Sequence, residues 1–239
     1  MFFLNAGQSS WDKFVGDFVF NLIEKDRWKY LWNGLGVTLK ITLFAVLLGI
    51  LIGMVVAIVR STHDMTGKMK IPNFICKAYL SVIRGTPVMV QLLIAYFVIF
   101  TSPGISKVMV AILAFGINSG AYVAEIFRSG IMSIDKGQFE AGRSLGFSYV
   151  QTMTLIIMPQ ALKNVLPALG NEFIVLLKET SISGYIALED LTKGGDIIRS
   201  QTFNAMFPLI TVAVIYWIFV AGLSHLLTIF ERRLRTSEH

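Results

Sequence analysis

The chain has 239 residues, 54% of them hydrophobic and only 15% charged, with a net charge of +6. A chain this short and this apolar exceeds what a soluble domain covers with polar surface. Its basic residues sit in short connections between apolar runs, which fits a membrane topology signal and argues against nucleic-acid binding.

Residues 1–33 read as an extracytoplasmic arm. They lack the basic start of a signal peptide, and Trp11, Asp12, Lys13 and Asp17 interrupt their apolar content. Within the arm, residues 14–23 form a short amphipathic segment, either lying on the membrane surface or left as a solvated arm.

Spanning helices need about 20 mostly apolar residues, because only a helix satisfies its own backbone in lipid. Five stretches are predicted to span: 36–59, 78–100, 108–127, 162–177 and 207–230. The fourth is short and broken by polar residues. In the second, Gly85 and Pro87 together invite a kink.

Basic residues set the orientation. One side holds Arg60, Lys68, Lys70, Lys77, Arg128, Lys136, Arg143, Lys163, Arg232, Arg233 and Arg235. The other side holds fewer, interleaved with acids such as Asp12, Asp17, Glu189, Asp190 and Asp196. The N-terminus is therefore expected outside and the C-terminus in the cytoplasm. The membrane domain is expected at 34–230, with a cytoplasmic loop at 128–161 and a tail at 231–239.

That loop is too polar to span and too long for a turn, so it is expected to carry a function. It contains Glu140-Ala141-Gly142-Arg143-Ser144-Leu145-Gly146, then nine residues, then Ile156-Ile157-Met158-Pro159. The pattern predicts a helix over 134–145 ended by Gly146, and a second starting near Ser148 and limited by Pro159. Two short helices folded at a glycine would make a knob on the cytoplasmic face.

Charge inside a span costs roughly 2.5–3.5 kcal/mol and needs a partner, a cavity or a job. Arg84 and Gln91 share a helical face in the second span; Arg84 either snorkels or gates a path. The third span carries Asn118, Tyr122 and Glu125. The fourth carries Asn164, Ala168, Asn171, Val175 and Lys178 at helical spacing, with Glu172 alongside. These polar groups either hydrogen-bond between helices or line a path, and the charge of Glu172 favours lining or pairing.

The single cysteine, Cys76, excludes an internal disulfide and a cysteine-based metal site. His63, His225 and His239 are far apart and lack ligand spacing, so no metal and no nucleophile–base set is expected. With no G-x-x-x-x-G-K-[ST] run, the chain has no phosphate-cradling loop, and its energy must come from another polypeptide.

The loop pattern resembles the hallmark E-A-A, three residues, Gly, nine residues, I-x-L-P of ABC-importer permeases, with Gly142 and Met158 as departures. Arg84-Gly85-Thr86-Pro87 followed by Gln91, residues 121–130, Asn171-Glu172-Phe173 and Lys178-Glu179-Thr180-Ser181 resemble the polar-amino-acid branch of that family. The resemblance covers about 34–230.

It implies an all-α polytopic fold of five transmembrane helices, the type I importer permease fold. It also implies coupling through Glu140, Ala141, Gly142, Gly146, Ile156 and Pro159 to an ATPase dimer that itself binds ATP and Mg. Further expected partners are an extracytoplasmic amino-acid-binding protein, a second permease copy or sister permease, and the lipid bilayer of the bacterial inner membrane. The rivals are a secondary carrier for a small polar solute, for which no internal repeat is found, and a membrane-embedded enzyme, for which no catalytic set is found.

Overall fold

A computed structural model of the chain describes residues 10–236, with side chains from 11 to 234. Residues 1–9 and 237–239, the ends of the expected arm and tail, lie outside the described residues, as do His239 and the Arg235 side chain.

All regular structure among the described residues is helical. Helix α1 (Ser10–Phe18) runs into a π turn at Val19–Ile23. The next helix, α2 (Trp28–Thr66), has 39 residues, about 58 Å at 1.5 Å per residue, and overruns the expected first span at both ends. Gly67 stops it: at φ +66 its N–H reaches the His63 carbonyl at 2.8 Å.

The expected second span is two helices, α3 (Lys70–Gly85) and α4 (Val88–Ile94, continued by a π turn to Ile99), bent by 106°. Pro87 forces the break because its ring pushes Thr86 into the extended region, φ −122 and ψ 143. What the sequence suggested as a kink is a full corner.

Beyond it come α5 (Lys107–Met132), α6 (Lys136–Ser144), α7 (Tyr149–Thr152) and α8 (Met158–Glu179). A 3₁₀ turn at Thr180–Ile186, α9 (Leu191–Thr202) and α10 (Met206–Thr236) complete the chain. Helices α2, α5 and α10 are each long and apolar enough to cross a membrane, and the α3–α4 pair makes a fourth if it is one broken span. Helix α8, which contains the expected fourth span, falls short of that measure; Lys163, Asn164, Asn171, Glu172 and Lys178 interrupt its apolar run.

The centre of the fold is the contact of α2 with α5. A Cβ added at Gly53 would lie 2.6 Å from Val123 Cγ1, and one at Gly49 2.9 Å from Ser119 Oγ. Reciprocally, Gly116 lies against Leu48 and Gly120 against Ile52, at 2.7 and 2.9 Å from an added Cβ. Each helix thus carries two glycines four residues apart, and the backbones approach closely without a hydrophobic force between them, by packing alone. Ile41, Ala45, Leu92, Val110, Phe115 and Leu176 form the largest core cluster.

Helix α9 is wedged between the start of α2 and α10. Gly34 passes under the Asp190 carbonyl, where an added Cβ would be 2.5 Å away, and Gly194 lies against the Tyr30 carbonyl at 2.6 Å. Asp190 caps α9: its Oδ1 accepts from the Lys193 N–H at 2.9 Å, while Oδ2 is buried without a hydrogen-bond partner among the described residues. Burial pushes this carboxyl up to about 6 from its ordinary 3.8, against the lowering pull of the cap hydrogen bonds.

The folded protein therefore holds this proton to a higher pH than the unfolded chain does. Its contribution to stability is complete below pH 3.8 and is lost as pH rises through about 6. Asp190→Asn keeps the cap without the titration. Thermal melting of the purified protein should show the parent losing about 2 kcal/mol between pH 4 and 7 relative to Asp190→Asn; parallel curves would contradict the assignment.

Candidate coupling knob and polar groove

The loop after α5 folds as a compact knob. Asp135 caps α6 by accepting from the Gly137 N–H at 2.7 Å, so the helix begins at Lys136, two residues later than expected. At its other end Gly146 sits at φ +82, with its N–H on the Arg143 carbonyl at 2.9 Å and that of Phe147 on the Gly142 carbonyl at 3.1 Å. That pair of bonds is a complete Schellman closure. Ser148 then starts α7 with a capping box, its Oγ and N–H exchanging bonds with Gln151 at 3.3 and 2.9 Å.

Pro159 does not limit this second helix. Helix α7 runs through a π turn at Met153–Ile157 straight into α8, with the Met158 N–H reaching back to the Met153 carbonyl. The widened turn takes up the extra residue ahead of the proline ring, so the chain continues helical where a stop was expected.

Of the expected coupling residues, Glu140 and Ala141 are exposed on α6 and Pro159 is exposed on α8. Gly142 is buried: an added Cβ would meet Thr152 Cγ2 at 2.7 Å and Ile156 Cδ1 at 3.2 Å. This contact explains the glycine where the family pattern has alanine, since α6 and α7 touch here. Ile156 joins Ile131, Ile134, Phe139, Met153, Ile157 and Ala161 in a small core under the knob. Leu145, Val150 and Leu155 stay outside, 73%, 65% and 63% exposed. These three apolar side chains stand among exposed polar and charged ones, Glu140 and Arg143 included.

A separate groove of about 550 Å³ lies between α5 and α8, lined by Tyr122, Glu125, Ser129, Asn164 and Glu172 among others. Helix α8 therefore turns its 164, 168 and 172 positions inward; Asn171 is exposed and does not line the groove. Glu172 is buried and accepts from Ser119 Oγ at 2.7 Å.

Glu125 is the electrostatic centre. Arg60 reaches its Oε1 at 2.8 Å, Arg84 the same oxygen at 3.6 Å, and Arg128 its Oε2 at 3.1 Å. Arg84 also lies over the Tyr122 ring, 5.9 Å from its centroid. Arg60 was missed in the sequence because it reads as a loop charge next to a span. The signal was the glycine spacing, which puts α2 on α5.

Gln91 and Asn118 serve a different purpose. The Gln91 amide donates to the Ile83 carbonyl at 2.8 Å and to the Thr86 carbonyl and hydroxyl at 3.1 and 2.8 Å. These are carbonyls stranded by the Pro87 break, which cost several kcal/mol if left bare in lipid. Asn118 holds Gln91 in place, donating to its Oε1 at 3.0 Å. The pair braces the corner.

Helices long and apolar enough to cross a membrane, a folded loop between α5 and α8, and a polar groove fit the permease subunit of an ABC importer. Residues 45–236 match the family described as the binding-protein-dependent transport system inner membrane component, and the chain belongs to that family. It is similar to a putative glutamine transport system permease protein GlnP of Rickettsia bellii, 42% identical over 66% of this chain and 74% of the relative. The Escherichia coli K12 glutamine transport system permease protein GlnP is 40% identical over 69% and 77%.

Among solved structures, an amino acid ABC transporter crystallised with histidines has 44% identity and a TM-score of 0.79, covering 86% of this chain and 94% of that one. The inward-facing MetNI methionine ABC transporter shares the fold, at 20% identity and a TM-score of 0.75 over 88% and 99% of the two chains.

Glu125→Gln leaves three guanidiniums around a neutral amide. Because these side chains are partly exposed, the expected cost is about 2 kcal/mol, below that of a fully buried pair. Thermal unfolding in detergent should show it, with Glu125→Asp intermediate; an unchanged midpoint would remove Glu125 from its central position.

Proposed function

We propose that the chain is the membrane-spanning subunit of an ATP-driven importer of a polar amino acid, and that the 136–159 region receives the work of a separate ATPase. Membership of the family and likeness to an amino acid transporter at 44% identity support the substrate class and favour an importer over a secondary carrier. A single observation carries the coupling: the knob is closed at both turns by Gly146 and the Ser148 capping box, yet its outer apolar side chains are left uncovered among the described residues.

Five crossings are proposed, with the N-terminus outside, the C-terminus in the cytoplasm, and α8 as the fourth. A helix as polar as α8 crosses when its polar face is covered. A second copy or a sister permease would supply that cover and place the path at the shared interface. When ATP draws two ATPase subunits together, the knobs move with them, the spans rock, and the site opens to the extracytoplasmic binding protein. Hydrolysis reverses the motion. Arg84, Tyr122, Glu125 and Glu172 are proposed to flank the path; Gln91 and Asn118 are assigned to the corner instead.

Gly146→Val places a β-branched residue at φ +82, a strain of at least about 1–2 kcal/mol, whereas asparagine tolerates that region. Co-purified ATPase and ATP-driven uptake should fall at least tenfold in Gly146→Val and persist in Gly146→Asn. Intact, coupled complexes of the valine variant would refute the docking assignment.

A further inference from the structure

Helix α1 does not float free of the bundle. Phe14 and Phe18 pack on Phe207 of α10, with ring centroids 5.8 and 6.2 Å apart. Between α1 and α10 this leaves a cavity of about 500 Å³, within the range of ligand sites. Its walls are apolar, from Phe14, Phe18 and Leu22 on one side and Phe207, Ile210 and Val214 on the other. Four polar side chains complete the lining: Lys13, Asp17, Asn204 and Thr211.

Three observations say what would occupy it. The apolar wall is the face of α10, a helix of which only 11% of the most apolar stretch is buried, so it borders lipid. Trp11, Trp28 and Trp32 stand exposed near the cavity in sequence, and tryptophans of this kind mark the headgroup level of a bilayer. Lys13 and Asp17 are one helical turn apart, yet neither has an ion-pair partner within 4.0 Å among the described residues. An ammonium and a carboxylate, unpaired beside an apolar slot, complement a headgroup that carries both a phosphate and a primary amine.

We propose that the cavity between α1 and α10 is a binding site for one phosphatidylethanolamine molecule, with an acyl chain between Phe18 and Ile210, the phosphate at Lys13 and the amine at Asp17. The lipid thereby fastens the N-terminal helix to the last span. Phosphatidylcholine has no N–H to donate to Asp17, and phosphatidylglycerol offers no cation, so both fit less well.

The test uses the assembled permease–ATPase complex, purified from membranes and examined by native mass spectrometry and lipid extraction. The parent should retain about one phosphatidylethanolamine per copy of this chain, enriched over the bulk membrane composition. Ile210→Trp fills the slot at a half-exposed position and should lower the retained lipid at least fivefold, while Ile218→Trp on the same helix should not. Lys13→Glu, an exposed change that leaves the slot intact, should lower it at least threefold. In nanodiscs of defined composition, preference should run phosphatidylethanolamine over phosphatidylcholine and phosphatidylglycerol. Retention equal to bulk composition, indifference to Ile210→Trp, or cross-linking of position 210 to a second permease copy would each overturn the proposal.

Discussion

The close approach of α2 and α5 sets the geometry of everything else. Glycines at 49, 53, 116 and 120 let the two backbones meet at distances no side chain would allow. Only at that separation does Arg60, near the end of α2, reach Glu125, sixty-five positions away in the chain. Glu125 then gathers Arg84 from the broken α3–α4 element and Arg128 from its own helix. Three elements are tied at one carboxylate, directly beside the groove that Glu172 lines from the other side.

The corner at Pro87 belongs to the same design. A proline inside lipid strands carbonyls, and the cost is avoided by an amide four residues on, held by an asparagine from α5. The corner swings α3 so that Arg84 faces Tyr122 and Glu125. A break and its repair thus position a charge. The knob follows the same economy: Gly146 turns the chain, Gly142 lets α6 lie on α7, and the π turn carries the result into α8 without a hinge.

Much of this was legible in the sequence. The helical membrane class followed from apolar runs, and the knob's closure followed from Gly146 and Ser148, residues whose conformational demands are local. Other features depended on partners far away in the chain. Gln91 and Asn118 stood between hydrogen bonding and path lining, because their polar character was visible while the stranded carbonyls that Gln91 satisfies were not. Asn171 stood as a candidate for bonding or lining because a helical stripe can be drawn through either 171 or 172, and only packing against α5 selects the face. Pro159 read as a stop because the π turn ahead of it leaves no mark in composition. Arg60 passed as a topology charge for the same reason: its carboxylate is on another helix.

The proposed coupling requires that the knob lie in the cytoplasm and meet a separate motor. Val150 is 65% exposed on that knob, so a lone cysteine there, in a chain with Cys76 replaced, reports both its side of the membrane and its neighbour. A membrane-impermeant maleimide should label it in inverted vesicles and not in intact spheroplasts, and a short bifunctional reagent should join it to the ATPase subunit. Labelling from the outer face would contradict the account.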